Sequence, residues 1–169
     1  MLAHRLPRGR AVSARLVDRL IARAMRTPYY HIGDYMERYW LVSYNRFGIA
    51  CRVHHILRSD DARAFHDHPW RYLTIVLRGG YTEVRPVFDR SGLYAGETRR
   101  WYGPGSVMLR GAKTWHRLEL APGRTAWTLF VTGRKRQTWG FLVHPRAKIE
   151  SREYEHRYPM PVPADSPHE

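Results

Sequence analysis

The sequence predicts an all-β domain, a small antiparallel β-barrel or sandwich, with one amphipathic helix near its N-terminal end. About nine short β-prone runs follow one another between residues 38 and 144, each bounded by turn residues. Only one stretch of the chain has the 3.6-residue spacing of a helix. Because no helix separates the β-prone runs, the pattern favours antiparallel pairing over βαβ units.

The helix is predicted over residues 12–28, within a basic N-terminal segment that we assign to residues 1–28. Its apolar face is made of Val12, Leu16, Val17, Leu20, Ile21 and Ala24. Its opposite face carries Arg15, Arg19, Arg23 and Arg26. Ser13 or the preceding loop could cap the helix, and Pro28 should end it. We expect the helix to pack across the outside of the domain.

Nine strands are predicted after the helix. They cover residues 38–44, 49–57, 71–78, 81–87, 97–102, 106–110, 115–120, 125–132 and 139–144. Gly79 and Gly80 separate two of them and predict a tight hairpin, since both residues accept a positive φ. We assign residues 29–150 to the β-domain and residues 151–169, which are proline-rich, to a C-terminal arm or tail.

The composition limits the class of protein. A chain of 169 residues with 43% hydrophobic content suits one domain with a core of its own. No run of eighteen apolar residues occurs, so we expect no membrane span. The single cysteine, Cys51, excludes an internal disulfide and fits a reducing, cytoplasmic environment. It also has no local signature of a catalytic nucleophile.

The net charge of +14 predicts anionic partners. Residues 1–28 hold seven arginines and one acidic residue, and the other basic residues are scattered along the chain. No nucleic-acid-binding motif is present, so a small anionic substrate is the expected partner and nucleic acid the alternative.

His66 and His68 are the first candidates for metal ligands. In an extended segment, residues i and i+2 point to the same side, so two imidazoles at this spacing can reach one ion. His116 opens another predicted strand, after a turn–strand–turn stretch over residues 103–115. Two histidines at this spacing are, by themselves, weak evidence for a metal site. The third histidine strengthens that evidence.

The spacing of these residues resembles the two-motif signature of the cupins, G-x5-H-x-H-x3,4-E-x6-G followed by G-x5-P-x-G-x2-H-x3-N. His66 and His68 match the two histidines of the first motif, and Gly79 matches its closing glycine. Gly105 and His116 match the opening glycine and the histidine of the second.

The most important departure from the signature concerns the ligand set. Tyr72 stands at the position of the carboxylate ligand. Five positions of the signature carry other residues, namely Asp60, Tyr72, Gly111, Lys113 and Leu120. The resemblance therefore implies a three-histidine site, similar to that of the thiol dioxygenase branch of the cupins, or else a degenerate site without metal.

The resemblance implies a cupin double-stranded β-helix with a metal held by His66, His68 and His116. Ferrous iron is the first expectation, with zinc, manganese and nickel open, because imidazole suits several transition metals. The implied function is a non-haem oxygenase acting on a small anionic substrate. A ligand-binding or sensory cupin without catalytic activity, and a sugar-phosphate isomerase or epimerase, are the alternatives. A homodimer is expected by resemblance alone.

Other residues are candidates for the pocket around the metal. Tyr72 is a candidate proton donor or radical-stabilising group, by its position in the motif. Candidate substrate-binding residues are Arg71, Arg78, Arg110 and Trp115. Period-2 alternation from Tyr72 places Thr74, Val76 and Arg78 on the inner face.

Four more residues near the motifs have open or secondary roles. Of His54 and His55, one should face inward and the other outward, and either could complete the site. Glu83 could approach the metal, but we favour a pair with an arginine. Asp67 should point away from the ligands and orient a neighbouring group.

Overall fold

The computed structural model describes residues 14–60, 64–143, 147–150 and 153. It contains one helix and eleven strands over these ranges. In chain order they are α1 Ala14–Ala24, β1 Tyr29–Ile32, β2 Met36–Val42, β3 Ala50–Ile56, β4 Trp70–Arg78, β5 Tyr81–Phe88, β6 Tyr94–Tyr102, β7 Val107–Arg110, β8 Arg117–Glu119, β9 Ala126–Lys135, β10 Gly140–Val143 and β11 Ala147–Glu150. The predicted all-β class with an N-terminal helix is confirmed.

All nine predicted strands are present, with ends shifted by a few residues, and two further strands join them. Strand β1, Tyr29–Ile32, pairs with β2. It lies before residue 38, where the predicted β-rich region starts. Strand β11 lies beyond the last predicted strand and pairs with β10. Both are four residues long, which is too short for a period-2 pattern to stand out.

Two antiparallel sheets enclose the core. The larger sheet has the order β1-β2-β3-β9-β4-β7, and the smaller has the order β6-β5-β8. Their facing side chains form one apolar cluster, with Ile56, Val76 and Met108 from the larger sheet and Tyr81 and Leu118 from the smaller. Strands β10 and β11 form a separate hairpin.

Helix α1 covers the outer face of the larger sheet. Val17, Ile21 and Ala24 are buried there, against a sheet surface that includes Val53 and Trp127. These positions follow the predicted apolar face of the helix. Val12 and Ser13 of the predicted helix lie outside the described residues.

Strand β3 has different environments on its two faces. Arg52, His54 and Ile56 are buried and point to the interior between the sheets, whereas Val53 is buried under the helix. His55 also points outward, where its ring stacks on Trp127 at a centroid distance of 4.0 Å. The prediction that one of the two adjacent histidines faces inward agrees with this arrangement.

The β4–β5 hairpin turns at Gly79, as predicted. Gly79 has a φ of 72°, and a Cβ at this position would collide with the carbonyl oxygen of Thr125. The pairing of β4 with β9 shifts register between Val76 and Arg78. This irregularity ends the period-2 alternation, so Arg78 faces solvent and forms an ion pair with Asp18 of the helix. The predicted inward position of Arg78 is wrong.

The predicted division into residues 1–28, 29–150 and 151–169 stays a prediction. Of the proline-rich C-terminal arm, only Glu153 lies among the described residues. Within the described ranges, no helix has the length and apolar character needed to cross a membrane.

Candidate metal centre

A cavity of about 300 Å³ lies between the two sheets. Its wall combines aromatic and aliphatic side chains with histidines, carboxylates and arginines. Both sheets contribute, through His54 and Tyr72 of the larger sheet and Glu83 and Leu118 of the smaller. One group of polar residues in this wall is a cluster of three histidines.

His66, His68 and His116 come together at this wall. The backbones of His66 and His116 form an antiparallel bridge, in which each amide donates to the other's carbonyl at 2.9 and 3.0 Å. The His68 amide donates to the carbonyl of Ala112 at 3.1 Å. The backbone therefore fixes the two segments side by side, and three side-chain nitrogens lie within 4.8 Å of one another.

The closest contact in the cluster joins two imidazole nitrogens. His68 Nε2 lies 2.9 Å from His116 Nε2. Two protonated rings would repel each other at this distance. Burial, together with the neighbouring His116 and His66, lowers the pKa of His68 well below its usual value. His68 is thus neutral, which is the form that ligates a metal.

Glu83 holds His116 from behind. Its Oε1 lies 3.2 Å from His116 Nδ1, and its two oxygens accept hydrogen bonds from Arg110 at 3.1 and 2.6 Å. Burial alone would raise the pKa of Glu83, but the hydrogen bonds from His116 and Arg110 prevail and lower it to about 2. An ionised Glu83 fixes the proton of His116 on Nδ1 and leaves Nε2 directed at the cluster. Glu83 therefore pairs with an arginine, as favoured from the sequence, and also contacts a histidine of the cluster.

Asp60 occupies the corresponding place behind His66. Its Oδ2 lies 3.5 Å from His66 Nδ1, and its Oδ1 accepts a hydrogen bond from the Leu118 amide. Burial raises the pKa of Asp60 to about 7, against the effect of that hydrogen bond and one from Tyr35. Sequence reasoning treated Asp60 only as a departure from a glycine position. The available signal was an acidic residue at a motif position that precedes His66 by six residues.

Asp67 points away from the cluster, as expected. It is buried and accepts hydrogen bonds from the Gly140 amide and from Gln137 Nε2, both at 2.8 Å. These contacts attach the segment between the two histidines to the start of β10. The attachment leaves the flanking imidazoles on the cavity side of the segment.

Tyr72 borders the cluster on β4. Its hydroxyl lies 3.3 Å from His116 Nε2, and its ring packs on Phe130 at a centroid distance of 5.0 Å. Burial raises the pKa of Tyr72 well above its usual value, and the nearby Glu83 carboxylate adds to the effect. The hydroxyl therefore stays protonated and can donate a hydrogen bond into the cavity.

The structure brings one of the four candidate substrate-binding residues to the cavity. Arg110 lines it and is held by Glu83 and by Tyr102, whose hydroxyl lies 2.8 Å from Arg110 Nη2. Arg71 is exposed because it precedes the inward Tyr72 on β4. Trp115 directly precedes the inward His116 and also lies outside the lining, and Arg78 is turned outward by the register shift.

Two arginines that sequence reasoning did not select do line the cavity. They are Arg38 on β2 and Arg52 on β3. Each stands in a run of apolar and aromatic residues, at a position that strand alternation directs inward. An arginine on the inner face of a strand was the signal in the sequence.

The histidine cluster fits a transition-metal ion. A metal that binds imidazole nitrogens at about 2.1 Å has ligand atoms within about 4.2 Å of one another. The observed spacing of at most 4.8 Å requires only a slight closure. Carboxylates behind two of the three rings are the usual support of metal-binding histidines.

Comparison with known proteins finds likeness in structure only. No protein-family model matches the sequence, and no curated protein matches it. Among solved structures, the DMSP lyase DddQ from Ruegeria pomeroyi DSS-3 has a TM-score of 0.57 at 16% identity, over 85% of this chain and 73% of the lyase. The polyketide cyclase RemF from Streptomyces resistomycificus has a TM-score of 0.55 at 16% identity, over 79% of this chain and 89% of the cyclase.

A third similar structure is hydroxypropylphosphonic acid epoxidase from S. wedmorenis, with a TM-score of 0.51 at 17% identity. The match covers 64% of this chain and 56% of the epoxidase, so this chain spans little more than half of that protein. A lyase, a cyclase and an epoxidase catalyse different reactions, so the likeness concerns architecture alone. All three are cupin-fold proteins. With two facing antiparallel sheets around a three-histidine cluster, this chain has the cupin fold.

Proposed function

We propose that this protein is a metal-dependent enzyme of the cupin superfamily, and that His66, His68 and His116 bind its metal. The supporting observation is that three imidazoles from two distant segments converge on one buried cavity, with carboxylates behind two of them. A group of largely enclosed histidines supported by carboxylates in this way is typical of metal centres.

Ferrous iron is the metal that we favour, with zinc, manganese and nickel as alternatives. Three neutral imidazoles leave the full charge of a divalent ion uncompensated, and this favours an anionic substrate. When bound, ferrous iron would supply a Lewis-acidic, redox-active centre, which suits an oxygenase. The reaction class is part of the proposal and rests on the resemblance to three-histidine dioxygenase cupins.

The residues around the cluster have separate proposed roles. Glu83 keeps His116 in one tautomer and one orientation, and Arg110 keeps Glu83 ionised. Tyr72 supplies a protonated hydroxyl beside the ligands and is the proposed proton donor. The apolar wall, which includes Phe130, Leu118 and Phe141, limits the access of water to the reacting groups.

Metal analysis of untagged protein tests this proposal. We expect about one equivalent of a divalent transition metal per chain. His68→Ala and His116→Ala should each lose most of it, whereas His31→Ala, which removes an exposed histidine on β1, should keep it. Circular dichroism of each variant checks the fold. A metal content that is negligible in the wild-type protein, or equal in all four proteins, would contradict the proposal.

Dioxygen uptake then tests the reaction class. The iron-loaded protein should consume dioxygen when a suitable small anionic substrate is present, and His116→Ala should not. A metal-loaded protein that turns over an anionic sugar without consuming dioxygen would instead support the isomerase or epimerase alternative. Localisation in the cytoplasm and assembly as a homodimer stay predictions.

A further inference from the structure

We propose that the cavity has a second recognition site, formed by Arg38, Arg52 and His54, which binds a doubly charged phosphoryl group of the substrate. The inference deepens the proposed function and rests on it, because it names the charged group of the anion that the metal centre would act on. The site involves strands β2 and β3 and shares no residue with the histidine cluster.

The strand pairing brings the three side chains to one part of the cavity wall. Arg38 on β2 is the register partner of His54 on β3, and Trp40 is the partner of Arg52. Arg38 and Arg52 are therefore diagonal neighbours on one sheet face. Both arginines and His54 line the same cavity as the histidine cluster. Tyr30, which is 58% exposed, also lines it and lies on its solvent side.

Neither arginine has an ion pair with a carboxylate among the described residues. The Arg52 side chain is buried, donates from Nη2 to the Tyr44 hydroxyl at 3.1 Å, and lies 4.0 Å from the ring centroid of Trp40. Its Nε has no hydrogen-bond partner. Arg38 lies over the ring of Tyr30 at 4.8 Å. Burial and mutual repulsion lower the pKa of Arg38, and burial lowers that of Arg52.

Two further polar atoms of the same wall are buried without a partner. They are Nε2 of His54 and Oγ1 of Thr128, and these two residues are register partners in the pairing of β3 with β9. Burial and the two nearby arginines lower the pKa of His54 well below its usual value, so its ring is neutral. Buried polar atoms are almost always hydrogen-bonded, and a ligand bound in this cavity would give partners to Nε of Arg52, Nε2 of His54 and Oγ1 of Thr128.

A doubly charged oxyanion satisfies these groups better than a carboxylate. The buried guanidinium of Arg52 and the partly buried one of Arg38 carry two positive charges, and a phosphate monoester or phosphonate dianion balances both. A carboxylate would leave one charge uncompensated. Guanidinium groups bind phosphoryl oxygens in a bidentate manner, and the hydroxyl of Thr128 and the ring of His54 add donors for the remaining oxygens.

Arg110, which also lines the cavity, already has a partner. It is paired with Glu83, so a ligand anion would have to compete with that carboxylate. Arg38 and Arg52 present no such competition, so the electrostatic attraction for an anion is concentrated on this side of the cavity.

Titration calorimetry with two probes tests the inference. Phenyl phosphate and benzoate have the same ring and differ in the charged group. At about pH 8 and constant ionic strength, metal-free wild-type protein should bind phenyl phosphate at least 10-fold more tightly than benzoate. Arg38→Gln and Arg52→Gln should each weaken phenyl phosphate binding at least 10-fold. Arg90→Gln removes the same charge from an exposed turn and should leave binding unchanged.

Two further variants make the result decisive. His116→Ala, which lacks a proposed metal ligand, should still bind phenyl phosphate. Failure of the metal proposal can therefore be distinguished from failure of the phosphoryl site. Arg52→Lys keeps the charge without the guanidinium fork and should bind more weakly than wild type. If the buried Arg52 variants do not fold, the partly exposed Arg38→Gln carries the test alone. Equal affinity of Arg38→Gln and wild type for phenyl phosphate, or a preference for benzoate, would overturn the inference.

Discussion

Oε1 of Glu83 lies 3.2 Å from Nδ1 of His116, and both side chains are buried. Glu83 is not at the carboxylate position of the cupin signature, which Tyr72 occupies here. In the signature, a carboxylate is itself a metal ligand. In this chain, the carboxylate of Glu83 supports a histidine instead. This arrangement keeps the ligand set neutral and still fixes the orientation of His116.

We expect Glu83→Gln to weaken metal binding about 10- to 100-fold, the usual effect of removing a group that orients a histidine ligand. The neutral amide no longer fixes the proton of His116 on Nδ1. Competition with a chromophoric chelator measures the affinity. Glu97→Gln is the control, since it removes a carboxylate that pairs with Arg117 at the surface. Equal metal affinity of Glu83→Gln and Glu97→Gln would contradict the role of Glu83.

Tyr72→Phe should reduce turnover about 100-fold or more, because the variant loses the protonated hydroxyl next to His116. Its metal content should equal that of the wild-type protein, since the phenyl ring still packs on Phe130. Steady-state kinetics and metal analysis of the same preparation separate the two effects. Unchanged turnover would remove Tyr72 from the mechanism.

Arg110→Gln and Arg78→Gln should differ strongly in stability, although both remove an arginine from an ion pair. Arg110→Gln leaves the buried Glu83 without its guanidinium partner, and we expect a loss of roughly 3 kcal/mol in the free energy of unfolding. The exposed pair of Arg78 with Asp18 should contribute less than about 0.5 kcal/mol. Urea unfolding measures both. Similar losses for the two variants would contradict a larger contribution of the buried pair.

Ile21→Ala should lower the free energy of unfolding by about 2–4 kcal/mol, because it opens a cavity between the helix and the larger sheet. Leu16→Ala, in the same helix but 58% exposed, is the matched control and should change it by about 0.5 kcal/mol at most. Metal content should be unchanged in the folded Ile21→Ala protein. A small effect of Ile21→Ala would mean that the helix does not contribute to the stability of the domain.

Glu37→Gln should make stability less dependent on acidic pH. Burial alone would raise the pKa of Glu37, but hydrogen bonds from His55 and Tyr39 outweigh it, and the pKa is lowered from its usual value. The unfolded chain therefore takes up a proton at higher pH than the folded protein does, and this stabilisation is lost as the pH falls below about 4.5. Unfolding midpoints in urea at pH 5.5 and pH 3.5 measure the effect. A drop as large in Glu37→Gln as in wild type would assign the acid sensitivity to other groups.

Features set by local spacing could be predicted from the sequence. The i, i+2 placement of His66 and His68, the hairpin at Gly79 and the apolar face of the helix each depend on a few neighbouring residues. The position of His116 opposite His66 required the family resemblance, because the contact spans fifty residues of chain.

Features set by strand pairing could not be predicted in this way. The register shift near the end of β4 reverses the direction of Arg78, and it arises from the pairing with β9 rather than from the sequence of β4. In the same way, Arg38 and Arg52 become neighbours only because β2 pairs with β3 in one register. Neither arginine was a candidate from the sequence, because strand alternation can indicate the direction of a side chain but not which residues of another strand share its environment.

Because side chains alternate along strand β3, its two faces can be substituted independently. Val53 and His55 serve the contact with the helix side, while Arg52 and His54 serve the cavity. Substitutions of the second pair can alter which molecules the cavity accepts without loosening the helix from the sheet. Ligand preference and thermal robustness are thereby open to separate adjustment, by laboratory design as well as by natural selection, within a single strand of seven residues.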